Sequence, residues 1–162
     1  MNTSSLEKLV CEVRLFLEPL WTQAHESWAD SPTPYPPSKQ MCRYSCIFLK
    51  EVLAEASFGV FEIKLGRPIT RELDGTHEGR FGYRSADGRW HDHAWLTQKD
   101  LLIDITADQF GGPAVTVATH PSSEYHPNMS ETEASENILK LQNRVNVWLQ
   151  AWRTRTALTL QS

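Results

Sequence analysis

The chain has 162 residues, of which 40% are hydrophobic, and carries a formal net charge of -4. That length corresponds to one domain able to bury a core without staples. The charge gives no reason to expect nucleic acid or an anionic membrane as partner. No apolar run is long enough to span a bilayer, and the polar stretch Met1 to Ser5 does not read as a secretory signal. Three cysteines, an odd count, argue for free thiols in a reducing compartment. The expected location is the cytoplasm, or export as an effector without a cleaved signal.

In chain order, Leu6, Leu9, Val10, Val13, Phe16, Leu17 and Leu20 recur at helical spacing from Ser5 onward. Pro19 is expected to kink or end this helix, leaving a second short helix towards Trp28. Cys11, among the apolar positions, reads as a core thiol. Pro32, Pro34, Pro36 and Pro37 then impose an extended surface loop. Ser38 is a plausible N-cap for an apolar helix whose buried face is Met41, Tyr44, Ser45, Phe48, Leu49 and Val52.

Cys42 falls in the first turn of that helix, where free backbone N–H groups and the helix dipole favour an anion and hence a thiolate. Cys46, one turn deeper, suits the role of a small buried hydrophobe. Phe58 to Leu65 alternates as a strand does, and Gly66 to Gly79 reads as a polar loop. Arg80 to Tyr83 and Arg89 to Leu96 are strands around the turn Ala86-Asp87-Gly88. Gly111-Gly112-Pro113 breaks the pattern before a last strand at Ala114 to Ala118, and His120 to Met129 reads as a loop. Ser130-Glu131-Thr132-Glu133 is a capping box. It precedes the stripe Ile138, Leu141, Val145, Trp148, Leu149 and Trp152, with a frayed tail expected beyond Arg153. The layout is α+β, with a mostly antiparallel sheet and a closing helix.

The segment from His91 to Phe110 reads as two strands joined by a short polar turn. With Gln98 and Lys99 as loop residues, His93 falls directly opposite Asp104 and on the same face. A bulged three-residue loop would shift that pairing by one. A carboxylate beside an imidazole fixes its tautomer and supports its protonated form. A thiol nucleophile needs favoured ionisation, a base within reach and a group that orients the base. Cys42, His93 and Asp104 supply these in chain order. Asp92 and Asp108 alternate to the opposite face and read as solvated. His25, His77, His120 and His126 read as surface residues, and Arg43 could pair with a substrate carboxylate.

His93-Ala94-Trp95-Leu96, followed by Ile103-Asp104-Ile105-Thr106, resembles the His-Ala-Trp and Asp-containing strands of the papain-like superfamily in its transglutaminase-like branch. That branch includes bacterial transglutaminase-like peptidases, arylamine N-acetyltransferases and peptidases that cut the leader from lasso-peptide precursors. Cys42, heading an apolar helix, matches its nucleophile. The resemblance spans Cys42 to about Gln109, under half the chain. It departs from the family in its short His93–Asp104 hairpin and in Gln40, which lies only two residues before Cys42.

The resemblance implies a papain-like single domain over 1–162, with an N-terminal helical segment (1–30), a proline-rich loop (31–38) and a catalytic core (39–153). It implies a cysteine-dependent hydrolase or acyl/amide transferase without a cofactor, acting on a protein or peptide amide or thioester. Gln40 and Gln109 are equal candidates for the oxyanion role beside the Cys42 N–H, and Trp95 for walling the site. Two alternatives stand beside it. Cys42, Cys46, His91 and His93 would make a zinc centre of two thiolates and two imidazoles if brought together. A catalytically inactive papain-like binding module is the other.

Overall fold

A computed structural model describes residues 3–28, 32–70, 77–119 and 122–159. The first helix, α1 (Thr3–Ser27), buries Leu6, Val10, Val13, Leu17 and Trp21 completely. It runs through Pro19 without ending, so the expected second short helix is absent. Pro19 cannot donate to the Leu15 carbonyl, but both residues face solvent, where water satisfies the freed oxygen. Cys11 is exposed, not the core thiol expected, because it sits one position off the buried stripe.

The proline-rich segment turns tightly into α2 (Cys42–Glu55), with Lys39 N–H donating to the Pro36 carbonyl at 3.2 Å. The cap residue is Met41, not Ser38, and it makes no side-chain cap bond. Ser38 is buried, and its backbone carbonyl accepts the Met41 N–H at 3.0 Å. α3 (Ser135–Thr159) closes the fold and continues past Arg153, where a frayed tail was expected. Arg153 Nε bonds Glu55 of α2 at 3.0 Å, which holds the last turns. The capping box forms ahead of it, with Glu133 accepting from both the Ser130 hydroxyl and its N–H at 2.7 Å. Phe16 stacks on Phe48 and meets Trp152 edge-on, so α1 belongs to the same core as α2 and α3.

The main sheet is antiparallel, in the order β10 (Met129–Ser130), β1 (Glu62–Gly66), β6 (His93–Gln98), β7 (Leu101–Asp104), β8 (Thr116–Thr119). A smaller sheet joins β5 (Trp90–His91), β4 (Gly82–Arg84) and β9 (Tyr125–His126), and β2 (Ile69–Thr70) pairs with β3 (His77–Gly79). The stretches expected as loops at 66–79 and 120–129 therefore contain four short strands. Segments of two or three residues are too short to show alternation in sequence.

Leu96 pairs with Ile103 and Gln98 with Leu101, so the β6–β7 turn is Lys99-Asp100, with Lys99 left-handed at φ 52°. The register is two residues away from one with Gln98 and Lys99 in the loop. A shift of two preserves which face each residue occupies, so His93, Trp95 and Asp104 still share one. Ala94, Leu96, Ile103 and Ile105 lie on the other, in the core with Phe48, Leu49 and Val52 of α2. Gly66 and Gly82 let β4 cross β1: a Cβ on Gly66 would collide with the Gly82 backbone, and one on Gly82 with the His91 carbonyl. The smaller sheet thereby covers the His93 face of β6. Among the described residues no helix is long and apolar enough to cross a membrane.

Candidate active site

His93 opens β6 and pairs across the strand with Gly66, while Asp104 ends β7. Both are buried. His93 Nε2 and Asp104 Oδ2 are 2.6 Å apart. The carboxylate is saturated: Oδ2 also accepts the Tyr125 hydroxyl at 2.9 Å, and Oδ1 accepts the Thr106 N–H at 2.8 Å and its hydroxyl at 3.1 Å. Four donors on one buried carboxylate hold it ionised in a single orientation.

The electrostatics follow from this packing. Burial by itself would raise the Asp104 pKa, but the His93 charge and hydrogen bond, with Thr106 and Tyr125, bring it below the ordinary carboxylate value. Burial by itself would lower that of His93, but the Asp104 charge and hydrogen bond, reinforced by Cys42, raise it. Burial, then the charge of Asp104, pushes the Tyr125 phenol up, so it remains a donor.

Cys42 is the first residue of α2, and the first helical bond behind it runs from Ser45 N–H to the Met41 carbonyl at 2.9 Å. The N–H groups between them have no carbonyl one turn back. Among the described residues, His93 Nδ1, the ring nitrogen not used by Asp104, has no hydrogen-bond partner of normal geometry, and the Cys42 thiol contributes to raising the imidazole pKa. Cys42, 9% exposed, lines a cavity of about 430 Å³ together with Gln40, Arg43, His91, Gln109 and Phe110. Cys46 is buried below it, and desolvation pushes its thiol pKa well up, as for a structural thiol.

Gln40 and Gln109 meet at the cavity. The Gln40 backbone, left-handed at φ 63°, donates its N–H to Gln109 Oε1 at 3.2 Å, and Gln109 Nε2 donates to the Thr106 carbonyl at 2.9 Å. Gln109 is thus held at both ends, whereas the Gln40 side-chain amide has no partner among the described residues. Trp95 does not reach the cavity. It is fully buried, stacked 6.2 Å from His93 and edge-on to Tyr125, and it backs the imidazole from beneath.

The four residues of the zinc alternative are not gathered. His91 bonds the Ser85 hydroxyl at 2.8 Å and stacks on Phe110, and no set of three or more His, Cys, Asp or Glu side chains among the described residues is placed to hold a metal. Asp92 is exposed and pairs with Arg43 at 3.2 Å. Asp108 is not solvated as expected: Arg14 of α1 grips it through Nη1 at 3.0 Å and Nη2 at 2.6 Å. Arg14, 5% exposed, also donates to the carbonyls of Ile105 and Ala114, which ties α1 to the segment between Asp104 and Gln109. His25 is buried rather than on the surface and bonds the Pro37 carbonyl at 3.1 Å. His126 is exposed as expected; the side chain of His77 and the whole of His120 lie outside the described residues.

Sequence reasoning missed Arg14, Thr106 and Tyr125. Arg14 was visible as a charge inside the apolar stripe of α1, and Thr106 as the residue two after an aspartate, a common local acceptor pattern. Tyr125 left no signal, because it arrives from a stretch that reads as loop. No protein-family model, curated protein or solved structure matches the chain.

Proposed function

We propose that the protein is a cysteine-dependent hydrolase or acyl/amide transferase of papain-like architecture, with Cys42 as nucleophile, His93 as base and acid, and Asp104 as the group that orients the imidazole. The observation that carries this reading is the divided use of the imidazole. Nε2 is fixed by a buried carboxylate, while Nδ1 has no partner of normal hydrogen-bond geometry among the described residues and Cys42 stands on the cavity side. A buried pair with a purely structural role would gain by satisfying both ring nitrogens.

In the proposed reaction the Cys42 sulfur attacks an amide or thioester carbonyl carbon, and the carbonyl electron pair moves onto oxygen. The oxyanion receives hydrogen bonds from the Cys42 N–H and the Gln40 side-chain amide. The C–N or C–S bond then breaks, and the imidazolium of His93 delivers its proton to the leaving group. Water or an amine, deprotonated by His93, attacks the thioester and releases the acyl group and the thiol. No cofactor enters this cycle. Three free thiols fit a reducing cytoplasm.

Iodoacetamide alkylation, with each modified cysteine located by mass spectrometry, tests the reading, and Cys11 serves as an exposed internal standard. Cys42 should react at least tenfold faster than Cys11 near neutral pH despite being less exposed, and His93→Ala should remove that advantage. A Cys42 that reacts more slowly than Cys11 in the wild type, with no response to His93→Ala, would sink the proposal.

A further inference from the structure

A second cavity, of about 510 Å³, adjoins the one at Cys42. The two share Gln40, Gln109 and Phe110, so the Gln40–Gln109 bridge is the common wall between them. Beyond the bridge the lining comes from α1 and the proline-rich loop, with Trp28, Pro32 and Pro34 as apolar walls and Lys39 at the rim. The walls are preformed: Trp28 meets His25 edge-on at 5.0 Å, and His25 is itself anchored on the Pro37 carbonyl.

Charge complements this shape. The guanidinium of Arg144, from α3, lies 5.5 Å from the Trp28 ring and 6.0 Å from that of Tyr44, which lines the Cys42 cavity. Neither Arg144 nor Lys39 has a carboxylate partner among the described residues, and no described residue lining the second cavity is acidic. Two cations beside an aromatic and proline-lined hollow attract an acidic ligand with an apolar part.

A small acyl group would need only one of the two spaces, whereas an extended chain advances about 3.3 Å per residue and occupies both. We propose that the second cavity is a substrate subsite for an aromatic side chain of a polypeptide, with an acidic neighbour held by Lys39 and Arg144. The inference rests on the nucleophile reading of Cys42 and narrows its substrate to aromatic-acidic peptide sequences. Pro32 and Pro34 stiffen the wall, which lowers the ordering cost of binding.

Matched affinity alkylators test it on the intact protein. Iodoacetyl-Phe-Asp-amide is compared with iodoacetyl-Gly-Gly-amide and iodoacetyl-Phe-Lys-amide for a chain running one way. Acetyl-Asp-Phe-Gly chloromethyl ketone is compared with its triglycine and Lys-Phe-Gly counterparts for the other. In one of the two series the Phe/Asp probe should label Cys42 about tenfold faster than the glycine probe, with saturation. Trp28→Ala should bring that ratio to about one. Lys39→Glu, at an exposed site whose folding is not at stake, should favour the lysine probe, while Val147→Ser on the exposed face of α3 should preserve the wild-type ratio.

Equal rates for all probes in both series would overturn the subsite, as would a preference indifferent to Trp28→Ala and Lys39→Glu. The ratio reads binding, whether or not the thiol is activated, and the His93 dependence of the iodoacetamide rate reads the nucleophile. The two claims therefore fail separately.

Discussion

The two faces of β6 are both buried, yet they are built from different materials. On one, Ala94 and Leu96 join Ile103, Ile105 and the apolar side of α2 in the large hydrophobic core. On the other, His93 and Trp95 join Tyr83, Leu102, Ala107 and Tyr125 in a small aromatic cluster that contains an ionised pair. The first face makes stability from area removed from water, without a charged pair to desolvate. The second spends part of that stability on desolvating a histidine and an aspartate and recovers it through a full set of hydrogen bonds. Strand alternation separates the two by a single residue step, so the His93–Asp104 pair and the core share a strand without sharing a surface.

Removing one member of the charged pair should break the second face most severely. Asp104→Ala strands His93 in an apolar site and should cost about 3–5 kcal/mol in urea denaturation. On the proposed mechanism it should also slow Cys42 alkylation a hundredfold or so, because His93 loses both its charge partner and its orientation. A variant that is destabilised but alkylates at the wild-type rate would show that the pair is structural.

Leu96→Ala tests the opposite face. It should cost about 2–5 kcal/mol through the cavity it leaves, while Cys42 keeps its His93-dependent reactivity under native conditions. A parallel loss of reactivity would show that the two faces are not independent.

Tyr125→Phe should be milder, at about 1–2 kcal/mol, since three donors remain on Asp104. Its signature is a rise in the Asp104 pKa, read by NMR titration, with the fold intact. An unchanged Asp104 titration would remove Tyr125 from the network.

The pH dependence sharpens the comparison further. Asp104 has a lowered folded-state pKa, so its contribution is present above the ordinary carboxylate value of about 4 and is lost as pH falls through the lowered value. His93 has a raised one, so its contribution is complete below the ordinary imidazole value of about 6.5 and is lost as pH rises through the raised value. The stability difference between the wild type and a His93→Gln, Asp104→Asn double variant should therefore plateau between about pH 4 and 6.5 and fall on both sides. A flat difference across pH would mean the pair does not titrate as its packing demands.

Several pieces of this site were legible in the chain because they depend on local rules. Cys42 at a helix start follows from the apolar period behind it. The common face of His93 and Asp104 survives even though the turn is Lys99-Asp100 rather than Gln98-Lys99, since a two-residue shift keeps alternation in step. Other readings depended on neighbours that arrive from far along the chain. Asp108 looked solvated until Arg14, ninety-four positions earlier, was brought against it. Cys11 looked buried because it lay among apolar residues, but helical geometry turns it outward.

By itself the sequence determined the α+β class, the cysteine-bearing and closing helices, the β6–β7 hairpin and the residue types available for thiol chemistry, whereas the first helix runs on through Pro19 where a break was expected. These follow from periodicity, capping and alternation, which act over a few residues. The tertiary structure alone decided that Tyr125 and Thr106 would complete the Asp104 shell, that Trp95 would lie beneath the imidazole, and that Gln40 would meet Gln109 between two cavities. Those contacts join segments separated by turns and crossings such as the Gly66–Gly82 approach. Their partners are chosen by which backbones can come close, a condition that no local pattern encodes.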